Sequence, residues 1–162
     1  MRRAFAALTF VALYTLSPVA HAQQIAGGHL AYSPGYGFGH HNGFRHQLDL
    51  GVMFRLRGER VGSKDGMWSR GSGLVAGPAV QTAFGRSPTT LMGEFGYGTD
   101  TTIASVAVLG GPALRLYDGI GAGGTIRLAA DVMYVQVGLR FGLIVLGRDE
   151  ASACLTLGIG RF

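Results

Sequence analysis

The sequence predicts an all-β protein: an antiparallel up-and-down barrel of about eight strands that follows a cleavable leader. Three observations carry this reading. Apolar residues recur at every second position in segment after segment, the period of a strand with two unlike faces. Turn signals fall between those segments at hairpin spacing. No stretch after residue 22 keeps a helical apolar period over three turns.

The leader comes first. Met1-Arg2-Arg3 is a short basic start, Ala4 to Leu16 is an uncharged apolar run, and Ser17 to Ala22 supplies small residues in an Ala-x-Ala pattern. This is the layout of a secretory signal peptide, with cleavage expected after Ala22. The apolar run is shorter than the roughly 20 residues that a membrane-spanning helix needs. No cysteine follows it, which excludes lipoprotein processing. Residues 1–22 are therefore read as signal peptide and residues 23–162 as one barrel domain. Removing 22 of the 162 residues leaves 140, and all 28 glycines lie among them, one residue in five. Twelve basic residues then face nine acidic ones, so the net charge falls to +3.

Composition excludes several classes. Charged residues make up 14% of the chain, against about 25% in ordinary soluble domains, yet the apolar content of 48% is too high for disorder. A single cysteine, Cys154, rules out an intramolecular disulfide framework and a cysteine-rich zinc site. Mid-strand, it reads as a small packed residue rather than a reactive thiol. The basic residues form no cluster of the kind that makes a nucleic-acid footprint, and export argues against nucleic acid as a partner.

The strands follow in order. The aromatic–glycine stretch from Tyr32 to Phe38 is read as the first, with Pro34 counting against it. From Gln47 to Arg57, Leu48, Leu50, Val52, Phe54 and Leu56 share one face; Gln47, Asp49, Gly51, Met53, Arg55 and Arg57 share the other. Leu74, Ala76, Val80 and Phe84 oppose Val75, Gly77, Ala79 and Gln81, and Leu91, Phe95 and Tyr97 oppose Met92, Glu94 and Gly96. From Ala104 to Leu116 both faces are apolar or small, so the phase there is open. Ile126, Leu128, Ala130 and Val132 oppose Arg127, Ala129 and Asp131. Val135, Val137, Leu139, Phe141, Leu143 and Val145 oppose Gln136, Gly138, Arg140 and Gly142, with Ile144 and Leu146 completing that second face. In the last segment Leu155, Leu157 and Ile159 oppose Cys154, Thr156, Gly158 and Gly160.

Turns are placed at Ser63-Lys64-Asp65-Gly66, Gly85 to Pro88, Gly98-Thr99-Asp100, Asp118 to Gly121 and Gly147 to Glu150. The apolar phase slips by one residue between Val132 and Val135, which demands a tight turn or a bulge. The segment from Gly58 to Ser72 is awkward. A tight hairpin at Ser63 to Gly66 makes two strands overshoot, and otherwise a long loop lies there. Ala76-Gly77-Pro78-Ala79-Val80 is echoed by Gly110-Gly111-Pro112-Ala113-Leu114, although chance repetition accounts for this equally well in a chain so rich in Gly and Ala.

Alternation alone does not say which face meets water. A soluble β-protein buries its aliphatic face; a small membrane barrel turns it outward and keeps polar residues inside. The polar faces here hold few lysines or glutamates. Their charges come in both signs and are separated by small residues, which suits a narrow lumen filled by a few long side chains. Asp49, Arg55, Arg57, Glu94, Arg127, Asp131 and Arg140, with Gln136, are read as a ladder of neutralising groups inside the barrel.

A signal peptide, about 140 mature residues, alternating strands and a terminal phenylalanine together make the chain resemble the small outer-membrane β-barrels of Gram-negative bacteria. The resemblance covers the mature chain, and its most specific part is Leu155-Thr156-Leu157-Gly158-Ile159-Gly160-Arg161-Phe162. It implies an outer-membrane location, with membrane lipid and the barrel-assembly machinery as partners and Phe162 as the assembly signal. Leu155, Leu157 and Ile159 are out of phase with Phe162, so a shared face requires a bulge near Gly160. Trp68, Tyr97, Tyr117 and Tyr134 fit either an interfacial aromatic girdle or ordinary hairpin packing. The expected role is structural or surface-interacting, non-catalytic and without a cofactor, with a plugged lumen and an unspecified extracellular ligand. The alternatives are a soluble periplasmic or secreted barrel that binds an apolar ligand between inward aliphatic faces, and a lipid A acyl-modifying enzyme. Against the latter, no histidine of the mature chain precedes a serine by two positions, and the Asp-Ser pair of the palmitoyl-transfer type is absent. His40, His41 and His46 are metal-ligand types without a fixed ligand spacing, and they read as part of a polar loop.

Overall fold

The computed structural model describes residues 25–39, 42–62, 69–84, 88–116, 119–147 and 149–161. The expected leader, His40, His41, Trp68, Tyr117 and the assembly signal Phe162 lie outside them. The described chain forms eight antiparallel strands: β1 (Ile25–Gly39), β2 (Gly43–Gly62), β3 (Ser69–Ala83), β4 (Thr89–Thr101), β5 (Ala104–Leu116), β6 (Ile120–Val132), β7 (Val135–Leu146) and β8 (Glu150–Arg161). Each strand pairs with the next, and β1 pairs with β8 to close a barrel. Closure leaves the fold without edge strands.

The two faces separate cleanly. Leu50, Val52, Phe95, Leu128, Leu139 and Leu157 are exposed on the outside, whereas Asp49, Met53, Glu94, Arg127, Gln136 and Arg140 are buried inside. The open phase of β5 resolves with Val106 and Val108 outward and Ser105, Ala107 and Leu109 inward. The interior also holds two apolar groups, one of Met53, Val75, Ala107, Leu109 and Ala129, the other of Ala79, Met92, Ala113 and Ile144.

Several local expectations resolve differently. Gly98 to Asp100 and Glu150 were expected in turns; they lie in β4 and at the start of β8. The first strand begins at Ile25 rather than near Tyr32 and accommodates Pro34. The pairing of β1 with β8 keeps one register from Gly28↔Arg161 to Gly39↔Glu150. No bulge lies near Gly160, and Leu155, Leu157 and Ile159 face outward while Thr156 is buried. Leu146 is exposed because the register shifts between Ala122 and Gly123 on the facing strand. The β2–β3 ladder runs on to Gly62↔Ser69, so this hairpin does overshoot.

The phase slip after Val132 is a two-residue turn. Val132 pairs with Val135, and Met133 and Tyr134 take φ values of 50° and 71°. Left-handed backbone at both central positions matches the twist of a tight hairpin, but it costs an ordinary L-residue about 1–2 kcal/mol. Neighbouring backbone secures the turn: Met133 N donates to Ile103 O at 2.8 Å and Gly160 N to Tyr134 O at 2.9 Å. The exposed side chain of Met133 contributes little there, so Met133→Asn is expected to raise stability by about 0.5–1 kcal/mol. Urea unfolding of the refolded barrel checks this; an unchanged or lowered midpoint contradicts the strain assigned to the turn.

Candidate functional site

The candidate site is the polar interior. Five strands supply its central group: His29 from β1, Asp49 from β2, Glu94 from β4, Arg127 and Gln136 from the β6–β7 hairpin, and Arg140 from β7. Arg127 and Arg140 stand directly opposite each other in register, a pairing of like charges that is unfavourable by itself. The carboxylates that neutralise them come from non-adjacent strands. Arg140 Nη2 lies 2.5 Å from Glu94 Oε1, and its Nη1 lies 2.9 Å from Asp49 Oδ2. Arg127 Nη1 is 3.5 Å from Glu94 Oε2, and its Nη2 donates to Gln136 Oε1 at 2.6 Å. Two guanidiniums thus meet two carboxylates, and β4 and β2 each stand three strands from β7 around the closed barrel, so the group reaches across the lumen.

His29 links the parts. Its Nε2 is 3.0 Å from Asp49 Oδ1, and Arg127 Nη1 is 3.0 Å from Nδ1. Arg127 Nη1 is also 2.7 Å from Nε2, so one edge of the ring meets both the Asp49 carboxylate and the Arg127 guanidinium. Gly51, opposite His29 on β2, makes room for the ring: a Cβ there would stand 2.4 Å from His29 Cε1. Glycine on the inner face is here a device for fitting a long side chain into a narrow tube.

A second group lies toward the termini and the β4–β5 and β6–β7 turns. Arg55 Nη2 donates to Asp100 Oδ1 at 2.7 Å, again in space left by a glycine, since a Cβ on Gly71 would fall within 2.5 Å of both side chains. Ser105 bonds to Asp131. Arg161 Nη2 donates to Thr101 O at 2.5 Å, and its guanidinium lies 5.6 Å from the Tyr134 ring centroid. A third group lies toward the other end, where Glu150 Oε1 is 2.5 Å from both Arg45 Nη1 and Arg115 Nη1.

Of the eight expected ladder residues, Asp49, Glu94, Arg127, Asp131, Gln136 and Arg140 are buried in the interior and Arg55 is part-buried beside Asp100. Arg57 is a correction. It is exposed and pairs with Leu74 on the outer face. The register of β2 against β3 shifts between Arg55 and Arg57, and the residue inserted there reverses the facing of those after it. His46 is on the outer face, bonded through Nδ1 to the Tyr32 hydroxyl and edge-on to Phe44. Among the described residues, no three His, Cys, Asp or Glu side chains gather as a metal site.

Five ionisable interior residues were not anticipated: His29, Arg45, Asp100, Arg115 and Glu150. All lie near strand ends that the alternation was too short to reach, or in β5, where its phase was open. The usable signal was parity: Arg45 and Asp100 continue the inner faces of Gln47–Asp49 and Met92–Glu94.

No family model matches the chain, and no curated protein sequence does. Among solved structures, Ail, the attachment invasion locus protein of Yersinia pestis, is similar with a TM-score of 0.38 and 8% identity, over 85% of this chain and 99% of that one.

Removing Glu94 leaves Arg127 and Arg140 facing each other with Asp49 as the remaining carboxylate of the central group. Glu94→Ala is therefore expected to destabilise the barrel by about 3–5 kcal/mol, and Glu94→Gln, which keeps shape and hydrogen bonding, by less. Urea unfolding in detergent or lipid measures both. A Glu94→Ala midpoint equal to that of the wild type rules out the charge-neutralising role.

Proposed function

We propose that this protein is an outer-membrane β-barrel of structural or surface-interaction type, non-catalytic, with a lumen plugged by its own side chains. The observation that carries the reading is the inverted polarity of the barrel. Leu128, Leu139 and Val108 are between 43% and 53% exposed on the outside, whereas Asp49 and Arg127 are 0% exposed within. In water this exposes far more contiguous apolar surface than a monomer ordinarily carries; in a bilayer the outer surface is in its proper solvent, and the closed ladder satisfies the backbone. A soluble barrel with inward aliphatic faces, the competing expectation, does not fit this orientation.

A plugged lumen is supported by the central ion-paired group, whose members reach between opposite walls. An eight-stranded barrel is filled by such side chains. A non-catalytic role is supported by His29, the histidine of the described interior, whose ring nitrogens are engaged by the Asp49 carboxylate and the Arg127 guanidinium. A nucleophile needs a base within hydrogen-bond reach.

The test joins location to the outer face. The chain is expected in the outer-membrane fraction, released only by detergent, and to migrate differently on a gel before and after heating. Leu139→Arg places a charge near mid-strand on the outer face and is expected to cost about 2–4 kcal/mol in lipid. Recovery of folded protein from the soluble periplasm without detergent overturns the proposal, as does a Leu139→Arg variant of wild-type stability in vesicles.

A further inference from the structure

The β2–β3 hairpin carries an arginine that the fold has turned outward. Arg55 is paired with Asp100 in the interior, and unbroken alternation would place Arg57 on that same inner face. The register shift between them puts Arg57 opposite Leu74 on the outer face instead, where it is exposed. Bulges re-aim side chains in this way. The position gained is a boundary. Away from the hairpin tip the outer face is apolar, with Phe54, Ala76 and Phe95 in one row across β2, β3 and β4. Toward the tip it is polar, with Glu59, Ser72 and Thr99 in one row. Arg57 stands in a row between these two, beside Leu74 and Tyr97, both exposed. Among the described residues no carboxylate pairs with Arg57. Residues 1–24 contain no Asp or Glu. The hairpin sequence holds two acids, Glu59 and Asp65, against Arg55, Arg57, Arg60, Lys64 and Arg70.

A guanidinium at an apolar–polar boundary suits one ligand chemistry. Its planar fork forms paired, charge-assisted bonds with a phosphate group, and a tyrosine hydroxyl beside it adds a donor. The neighbouring apolar row supplies the rest. Ala76 lies between Phe54 and Phe95, so a small residue leaves a notch flanked by two rings, on the side of Leu74 away from the hairpin tip. A free phosphate would use the guanidinium alone, whereas a phosphate that bears an acyl chain uses both features. The basic excess of the hairpin favours a ligand of net negative charge over a zwitterion. We infer that Arg57, with the Tyr97 hydroxyl, binds the phosphate of an anionic phospholipid whose acyl chain lies over Ala76 between Phe54 and Phe95. The inference rests on the membrane reading proposed above, which places this outer face in lipid.

The experiment adds phosphatidylglycerol or phosphatidylcholine to the refolded barrel in detergent and counts retained lipid by native mass spectrometry. The expected result is one phosphatidylglycerol held in preference to phosphatidylcholine. Arg57→Gln changes an exposed side chain and keeps the fold, judged by heat-modifiable migration. It is expected to weaken phosphatidylglycerol binding by about fivefold and to abolish the preference. Ala76→Leu fills the notch and weakens both lipids. Arg70→Gln, an exposed arginine nearer the tip of the same hairpin, leaves the preference unchanged, which separates a site from general attraction between a basic hairpin and anionic lipid. Inorganic phosphate at the concentration of the lipid does not compete. The inference is overturned by a preference that survives Arg57→Gln, by an equal loss in Arg70→Gln, by an Ala76→Leu variant that binds like the wild type, or by competition from inorganic phosphate. A barrel recovered in the outer membrane that holds both lipids alike defeats this inference and leaves the membrane reading standing, whereas recovery of folded protein from the soluble periplasm defeats both.

Discussion

Two guanidiniums face each other inside a closed tube, and the arrangement of the interior follows from how they are neutralised. Arg127 and Arg140 are register partners on adjacent strands, so their own walls offer no opposite charge at that point. Glu94 from β4 and Asp49 from β2 supply it across the lumen. Buried ion pairs are a weak source of net stability, because desolvating each charge offsets much of the attraction. Their strength lies in what happens when one member is missing. A barrel closed in another register would separate these carboxylates from their guanidiniums and leave buried charges unmatched, so the central group acts as a check on register that a uniformly aliphatic interior would not provide.

The glycine content follows from the same packing. Inside an eight-stranded barrel the walls are close enough for side chains to fill the space, and an arginine or histidine needs more room than an average neighbour leaves. Gly51 yields space to His29, and Gly71 to the Arg55–Asp100 pair. Part of the glycine content thus gives volume to long polar side chains, and other glycines, such as Gly96 and Gly123, let the neighbouring backbone come close. The outside follows a different rule, since side chains pointing away from the barrel share no enclosed volume and need no such exchange, and many outer positions are large.

Much of this architecture was legible in the sequence because its period is short and unbroken. Alternation from Gln47 to Phe54 and from Val135 to Val145 sorted inner from outer residues correctly, and the slip at Val132 located a turn to the residue. The failures have physical causes. Arg57 sat in perfect phase with Asp49 and Arg55, yet a bulge at that point turned it outward; a bulge inserts one residue without altering the local composition. Asp100 and Glu150 carry turn-like neighbours but belong to paired strands, since near the mouths of a barrel both faces become polar and the apolar signal fades before the hydrogen bonding does. The cross-lumen partners were out of reach in principle, because alternation says which face a residue occupies and nothing about which opposite wall it meets.

The three mid-strand prolines show how a fold without edges accommodates residues usually confined to edges. Each coincides with a gap in one ladder: Pro34 between β1 and β8, Pro78 between β2 and β3, Pro112 between β4 and β5. Each side chain shares parity with the outer face, and each follows a small inner residue, Ser33, Gly77 or Gly111. Proline confines the residue before it to extended backbone, which these strand residues already adopt. Proline removes a donor but no acceptor, so the partner strand loses one bond to a carbonyl, the backbone group that tolerates under-satisfaction better than an N–H does. The repeated Gly-Pro-Ala of β3 and β5 therefore has one structural meaning at both places: a local opening in alternate ladders, bounded by glycines through which the neighbouring backbone comes close. A Cβ on Gly77 or Gly111 would run into Val52 O or Gly93 O, so the glycine before each of these two prolines is required by the opposing strand.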